Sequence, residues 1–313
     1  MSDKGSAVRV GIDVGGTKAE AVAIGPSGEV LARAQRSTVR GPDGVVATVL
    51  GAIEDLGVGP VAVGIGIPGQ IVGGHVRNAV NLDVAELDLA GAVGRALGLP
   101  VHVENDVNAA AFGAYAARAA ARPEAATEAL AYLNLGTGIA AGIVLDGAVW
   151  QGAGGTAGEV GHVSIDPGGP VCPCGQRGCI ETLAGGGAVA RRWARGGALP
   201  VREVFDAADA GEEEALALRA DVGRGVAAAV RVLVLAADPA VVVIGGGVAR
   251  LGERLLAVTR DELRTSSRRS AFLRSLRLDE RIELLPADVP AGALGAALGA
   301  PVLHRTEAVE LHG

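Results

Sequence analysis

One three-strand unit occurs twice in this chain, and that repetition limits the architecture more than any other feature. Residues 8–13 read as an apolar strand. A glycine turn over residues 14–17 leads to a second apolar run, 19–24. A tight turn at Pro26-Ser27-Gly28 leads to a third strand candidate, 29–37. The arrangement returns at residues 131–135, with the turn Gly136-Thr137-Gly138, the run 139–145, the Asp146-Gly147 turn and residues 148–150. Two copies so far apart indicate a long-period duplication and not a solenoid.

Helix and strand signals alternate through the remainder. Residues 44–56 have helical composition, and 61–67 form a buried strand ending at Pro68-Gly69. A helix over 89–97, a short strand over 101–104 and an alanine-rich helix over 107–121 follow, the last capped by Asn105 or Asp106. Further on come a helix over 222–236, a buried strand over 240–244 opening into Gly245-Gly246-Gly247, and a last helix over 292–298. The alternation predicts α/β layers in two similar lobes. The Ala-, Arg-, Pro- and Glu-rich loop 118–128 is the expected boundary. It separates a small lobe, 1–120, rejoined by a C-terminal helix at about 293–313, from a large lobe, 121–292.

Composition removes several function classes. The net charge is −7 and aromatic residues make up 2% of the chain. Without a basic stripe or stacking aromatics, nucleic acid is not an expected partner. The apolar stretch 226–248 is broken by Arg231, Asp238 and Pro239, so it reads as a buried helix and strand and not a membrane span. No signal peptide is evident, and the cytoplasm is the expected location. Lysine occurs only at positions 4 and 18, which singles out the one inside a Gly-Gly-Thr-Lys turn.

All three cysteines fall in Cys172-Pro-Cys174-Gly-Gln-Arg-Gly-Cys179, with His162 just upstream. Three thiolates and an imidazole make the ligand set of a closed structural zinc site. A disulfide would leave one cysteine unpaired, and nothing else suggests secretion. Glu159 and Glu181 flank this knot.

Asp13-Val-Gly15-Gly16-Thr17-Lys18 lies in a strand–turn–strand hairpin. Its glycines allow close approach of backbone N–H groups to phosphate oxygens, Thr17 adds a hydroxyl and Lys18 a charge. Asp13 could orient Mg²⁺ through water. The alternative is a tight hairpin needing glycine for φ > 0. Gly136, Thr137 and Gly138 supply a second such turn, so two hairpins could grip one nucleotide. Gly245, Gly246 and Gly247 invite a dinucleotide-fold reading, but the third glycine position holds Arg250. They suit nucleoside or phosphate contacts at a helix start better. Glu104-Asn105-Asp106 joins a strand to a helix, where a carboxylate can serve as general base or as an ordinary cap.

These motifs, in the order Asp13-x-Gly-Gly-Thr-Lys18, Glu104-Asn-Asp-x-Asn108, Leu135-Gly-Thr-Gly138, Glu159-x-Gly-His162 and Cys172 to Glu181, resemble those of the ROK family across nearly the whole chain. The resemblance implies the two-lobed fold of hexokinases, actin and Hsp70, with RNase H-like lobes and a structural zinc loop. It implies an ATP-dependent hexose kinase with Mg²⁺ and zinc, most simply one that converts glucose to glucose 6-phosphate. Asp106 becomes the catalytic base. Asn105, Asp106, Glu159, His162 and Glu181 become the sugar contacts, joined by Gly69 from a loop that borders the sugar's C2. His162, Cys172, Cys174 and Cys179 become the zinc ligands. A dimer or tetramer of like chains is the expected assembly. Other hexoses and amino sugars (mannose, fructose, N-acetylmannosamine, N-acetylglucosamine) stay open. So does a sugar-sensing regulator or non-catalytic binder, although the early start of the first hairpin leaves no room for an N-terminal helix-turn-helix. Ala140-Ala141 departs from the glycines that the family often places there.

Overall fold

The computed structural model describes residues 7–301. The chain packs as two compact units, one of residues up to Asp106 together with those from Gly292, the other Val107–Ala291. The division thus falls at Asp106/Val107, where a helix begins, and not in the loop after that helix, where the sequence places it. Residues 302–313, counted above with the C-terminal helix, lie outside the described residues, as does Lys4.

The first unit opens with β1 (Arg9–Val14), β2 (Lys18–Ile24) and β3 (Val30–Ser37), then α1 (Pro42–Asp55) and β4 (Ala62–Ile67). Next come β5 (Gln70–Val72), β6 (His75–Ala79), β7 (Val84–Asp88), α2 (Leu89–Leu97) and β8 (Val101–Asn105). Its main sheet has the order β3-β2-β1-β4-β8, antiparallel across the first three strands and parallel from β1 to β8. Strands β5, β6 and β7 form a small antiparallel sheet of their own. Every residue of β4 is buried, as a strand covered on both faces requires. The helices start and stop for local reasons. Pro42 stands in the first turn of α1, where a missing N–H costs nothing. The Asp88 side chain accepts the Gly91 N–H at 2.9 Å to cap α2, which Gly98 ends in the left-handed region.

The second unit starts with α3 (Asp106–Ala121), of which Asp106 itself packs with the first unit. β9 (Leu130–Leu135), β10 (Ile139–Leu145) and β11 (Ala148–Val149) follow. Then come α4 (Ile180–Ala184), α5 (Gly186–Trp193), α6 (Pro200–Asp209) and the long α7 (Glu213–Ala237). β12 (Val241–Gly245), α8 (Glu253–Ser267), α9 (Ala271–Ser275) and β13 (Ile282–Leu284) complete it. The sheet order is β11-β10-β9-β12-β13, with the same alternation of antiparallel and parallel pairs as in the first unit. The alanines of α3 have a packing reason. At Gly142 of β10 an added Cβ would stand 2.6 Å from Ala111 Cβ and 2.8 Å from Val107 O, so helix and strand touch backbone to backbone.

The last helix, α10 (Ala291–Gly299), belongs from Gly292 onward to the first unit. It lies flush on the sheet through two glycines. A Cβ on Gly11 would stand 2.0 Å from Ala293 O, and one on Gly64 1.8 Å from Ala296 O. Backbone cannot yield as a side chain can, so neither strand tolerates even alanine there.

Candidate active site and metal centre

In the first unit, the β1–β2 turn is closed by the Gly15 N–H on Lys18 O at 3.0 Å, and the Thr38 hydroxyl braces it on Gly15 O at 2.8 Å. Neither Gly15 nor Gly16 has positive φ. Glycine is there for room: a Cβ on Gly16 would press Asn81 O at 3.2 Å. The requirement for left-handed backbone therefore does not explain this turn. Thr17 and Lys18 are exposed at its tip.

Asp13 and Asp106 influence each other directly. The Asp13 side chain is only half-buried by solvent exposure, yet enough protein surrounds it that desolvation pushes its carboxyl up to about 7. Asp106 and then Glu20 add like-charge repulsion, and Lys18 pulls the other way. A raised carboxyl makes the fold lose stability as pH rises from the unfolded value near 4 towards 7, because only the unfolded chain ionises freely in that window. Asp13→Asn should remove this loss. Urea titrations of the Mg²⁺-free protein at pH 5 and 8 should show the variant gaining about 1–3 kcal/mol on wild type across the interval. An equal gap at both pH values would contradict the raised carboxyl.

Asn105 ends β8 with its amide group held. Its Nδ2 donates to Gly69 O at 3.3 Å, and its backbone N–H donates to Glu104 Oε1 at 2.9 Å. Gly69 has φ +108, and a Cβ there would meet Arg77 O at 2.6 Å. Gly69 thus fixes Asn105, and Asp106 follows as the first residue of α3.

In the second unit, Gly136, Thr137 and Gly138 link β9 to β10, with the Gly136 N–H donating to Gly138 O at 3.0 Å. A cavity of about 900 Å³ opens beside this turn. Gly136, Thr137, Gly186, Gly187 and Gly247 supply backbone to its wall, while Leu199, Pro200, Val248 and Leu251 supply apolar surface. Arg202, Arg250 and Arg254 also border it. A wall that combines apolar side chains with glycine backbone suits a base and its phosphates. Gly246 (φ +85) is wedged against the end of β9, where its Cβ would meet Leu135 O at 2.6 Å. Gly245 is buried in β12, where a Cβ would meet Tyr132 Oη at 2.2 Å. Of the three glycines, only Gly247 reaches the cavity. The apolar wall has no motif and was not foreseen, although the run Gly185-Gly186-Gly187 was a visible signal.

His162, Cys172, Cys174 and Cys179 converge, with ligand atoms within 4.8 Å of one another. His162 Nδ1 lies 3.8 Å from Cys172 Sγ, and Cys174 Sγ lies 3.7 Å from Cys179 Sγ. All three cysteines are free thiols. Zn–S bonds of ~2.3 Å at tetrahedral angles separate ligand atoms by about 3.8 Å, so these distances fit a tetrahedral ion and are far too long for a disulfide. Burial pushes the Cys179 thiol up to about 12, so a thiolate there needs a cation beside it. Backbone geometry supports the knot: Gly178 (φ +67) sits where a Cβ would fall 1.6 Å from Asp166 O. With Nδ1 turned to the sulfurs, Nε2 of His162 is the ring nitrogen left for another partner.

Glu159 is exposed, just before the turn that carries His162. Glu181 is half-buried in the first turn of α4, and its Oε2 accepts the Ile139 N–H at 2.8 Å. Sequence reasoning assigns Glu181 to a sugar alone; its position against the Gly-Thr-Gly turn was not foreseen.

The ROK family model matches residues 9–300, and the chain belongs to the ROK family. It is 32% identical over 278 residues to a glucokinase of Thermotoga maritima, spanning 81% of this chain and 86% of that one. It is also 31% identical over 296 residues to an N-acetylmannosamine kinase of Escherichia coli, spanning 92% and 96%. Among solved structures, a ROK family glucokinase from Streptomyces griseus in complex with glucose and AMPPNP superposes with a TM-score of 0.74. It is 29% identical and covers 93% of this chain and 98% of that one.

Proposed function

We propose that the sugar phosphorylated by this ATP-dependent kinase is glucose, and that Asp106 takes the proton of the attacking hydroxyl. Asp106 follows an asparagine that is hydrogen-bonded to Gly69, so the strand end from which its helix starts is anchored. That observation carries the reading. Asn105, Glu159, His162 through Nε2, and Glu181 through Oε1 hold the remaining hydroxyls. The Ile139 N–H bonds Oε2, which leaves Oε1 to face a hydroxyl.

The deprotonated oxygen attacks the γ-phosphorus of ATP, the bond to the β–γ bridging oxygen breaks, and ADP leaves with that electron pair. Backbone N–H groups of the turns at 15–18 and 136–138 meet phosphate oxygens, Lys18 adds charge, and the cavity beside Val248 receives the base. Asp13 is the carboxylate suited to orient Mg²⁺ carried with ATP, which would neutralise charge on the phosphates. Zinc is the metal we assign to His162, Cys172, Cys174 and Cys179, which would hold it; bound there it would fix the orientation of the His162 ring. The shared strand order of the two sheets supports RNase H-like lobes of the actin and hexokinase type. Among the described residues no helix is long and apolar enough to cross a membrane. Unpaired thiols suit the reducing cytoplasm.

N-acetylmannosamine is the second reading, because a kinase for it aligns with more of this chain than the glucokinase does. A coupled ADP-release assay over a panel of free sugars decides. Glucose should exceed N-acetylmannosamine by at least about ten-fold in kcat/KM, the discrimination that one extra or missing group supplies. The reverse order would transfer the assignment, and no turnover with any sugar would remove the kinase reading.

A further inference from the structure

We infer that Glu181 positions the Gly136–Gly138 turn, so that the metal-bound loop sets the geometry of the donor-phosphate side. The inference rests on the ATP-dependent kinase reading and concerns a residue otherwise assigned only to the sugar.

β10 has one edge that is largely open. One edge pairs with β9 along the strand. The other is covered by β11 only at Val144 and Leu145, with the Trp150 N–H reaching Ile143 O at 2.8 Å. Two backbone amides nearer the glycine turn, those of Ile139 and Ala141, face the uncovered edge. Unpaired amides in such a place are costly, so each needs an acceptor. The Ala141 N–H finds Gly158 O at 2.7 Å. The Ile139 N–H finds Glu181 Oε2 at 2.8 Å. The carboxylate therefore stands in for the missing strand at the first residue after the turn.

The fit is close. A Cβ on Gly138 would lie 2.4 Å from Glu181 Oε2, so only glycine lets the carboxylate reach its amide. The start of the next helix, α5, holds the turn as well: the Gly186 N–H donates to Gly136 O and the Gly187 N–H to Thr137 O, both at 2.9 Å. Three hydrogen bonds thus register the turn on one segment, residues 181–187. That segment begins two residues after Cys179, which is the N-cap of α4. Whatever orders Cys179 orders the turn through Glu181.

Glutamine keeps an oxygen that can accept the Ile139 N–H, and alanine keeps nothing. Calorimetric titration with a non-hydrolysable ATP analogue, without sugar, reads the difference. Glu181→Ala should weaken the analogue about ten-fold or more, as loss of a hydrogen bond to a charged acceptor does. Glu181→Gln should stay within about three-fold of wild type. Gly138→Ala pushes the carboxylate aside and should resemble Glu181→Ala, while the double variant should be no weaker than either single one. In steady state, Glu181→Ala should raise the ATP KM by the same factor. Unchanged analogue affinity in Glu181→Ala, equal losses in Ala and Gln, or additive losses in the double variant would each overturn the inference. Because the titration contains no sugar, it stands even where the sugar panel fails, so the two failures are distinguishable.

Discussion

Asp106→Asn should lower kcat by about 10²–10⁴-fold, the range that general-base catalysis supplies, while sugar affinity changes little. Asparagine preserves the volume and one acceptor oxygen, so hydroxyl contacts survive. It cannot accept a proton, so the hydroxyl must attack without its base. The surroundings strengthen the expectation. Asp106 starts a helix, where the N-terminal dipole favours the ionised form. Its negative charge is also felt by Asp13, where it adds to the desolvation that raises the carboxyl. Removing the Asp106 charge should therefore lower the Asp13 carboxyl as well, visible as a shift of the pH-dependent stability step towards acid. Steady-state kinetics with calorimetry on the sugar test the first part. Turnover near that of wild type would remove Asp106 from the role of base.

Metal removal should have the next largest effect. Elemental analysis should find about one zinc per chain, and chelation should lower Tm and sugar affinity together. Structural zinc in small peptides contributes ~10–16 kcal/mol of apparent folding energy, the ceiling for this larger unit. A loss of even ~5 kcal/mol lowers Tm by ~10–20 °C in a unit of 150–250 residues. The coupling to sugar follows from His162, whose ring presents one nitrogen to the sulfurs. Once the ion is gone, nothing fixes the orientation of the other. Cys179→Ser should reproduce the effect without chelator. Full activity in metal-free protein would contradict it.

Legibility in the sequence followed how local each signal was. The hairpins of both sheets could be read because alternating apolar residues and glycine turns specify strand and reversal within a few positions. The convergence of His162, Cys172, Cys174 and Cys179 could be read because the four lie close along the chain. The sheet of β5, β6 and β7 left no such trace: its strands are three to five residues long and mostly exposed on one face, so no period accumulates. The cavity wall draws Leu199 and the Val248–Leu251 turn from separate segments, which only tertiary packing brings together. The contact of Glu181 with Ile139 was hidden for the same reason: it joins residues 42 apart in sequence, and a carboxylate beside a cysteine motif gives no hint that it completes a strand edge.

The seating of α10 bears on the order in which this chain can be built. The second unit is continuous, so every residue it needs has been synthesised once Ala291 is in place. The first unit is not, because its sheet is sealed at Gly11 and Gly64 by backbone made after the whole second unit. Domains usually mature in the order in which they leave the ribosome. Here β1 and β4 must wait with one apolar face uncovered until α10 has been made, so nascent chains of this protein have a longer window of exposure to chaperones and proteases in the first unit than in the second.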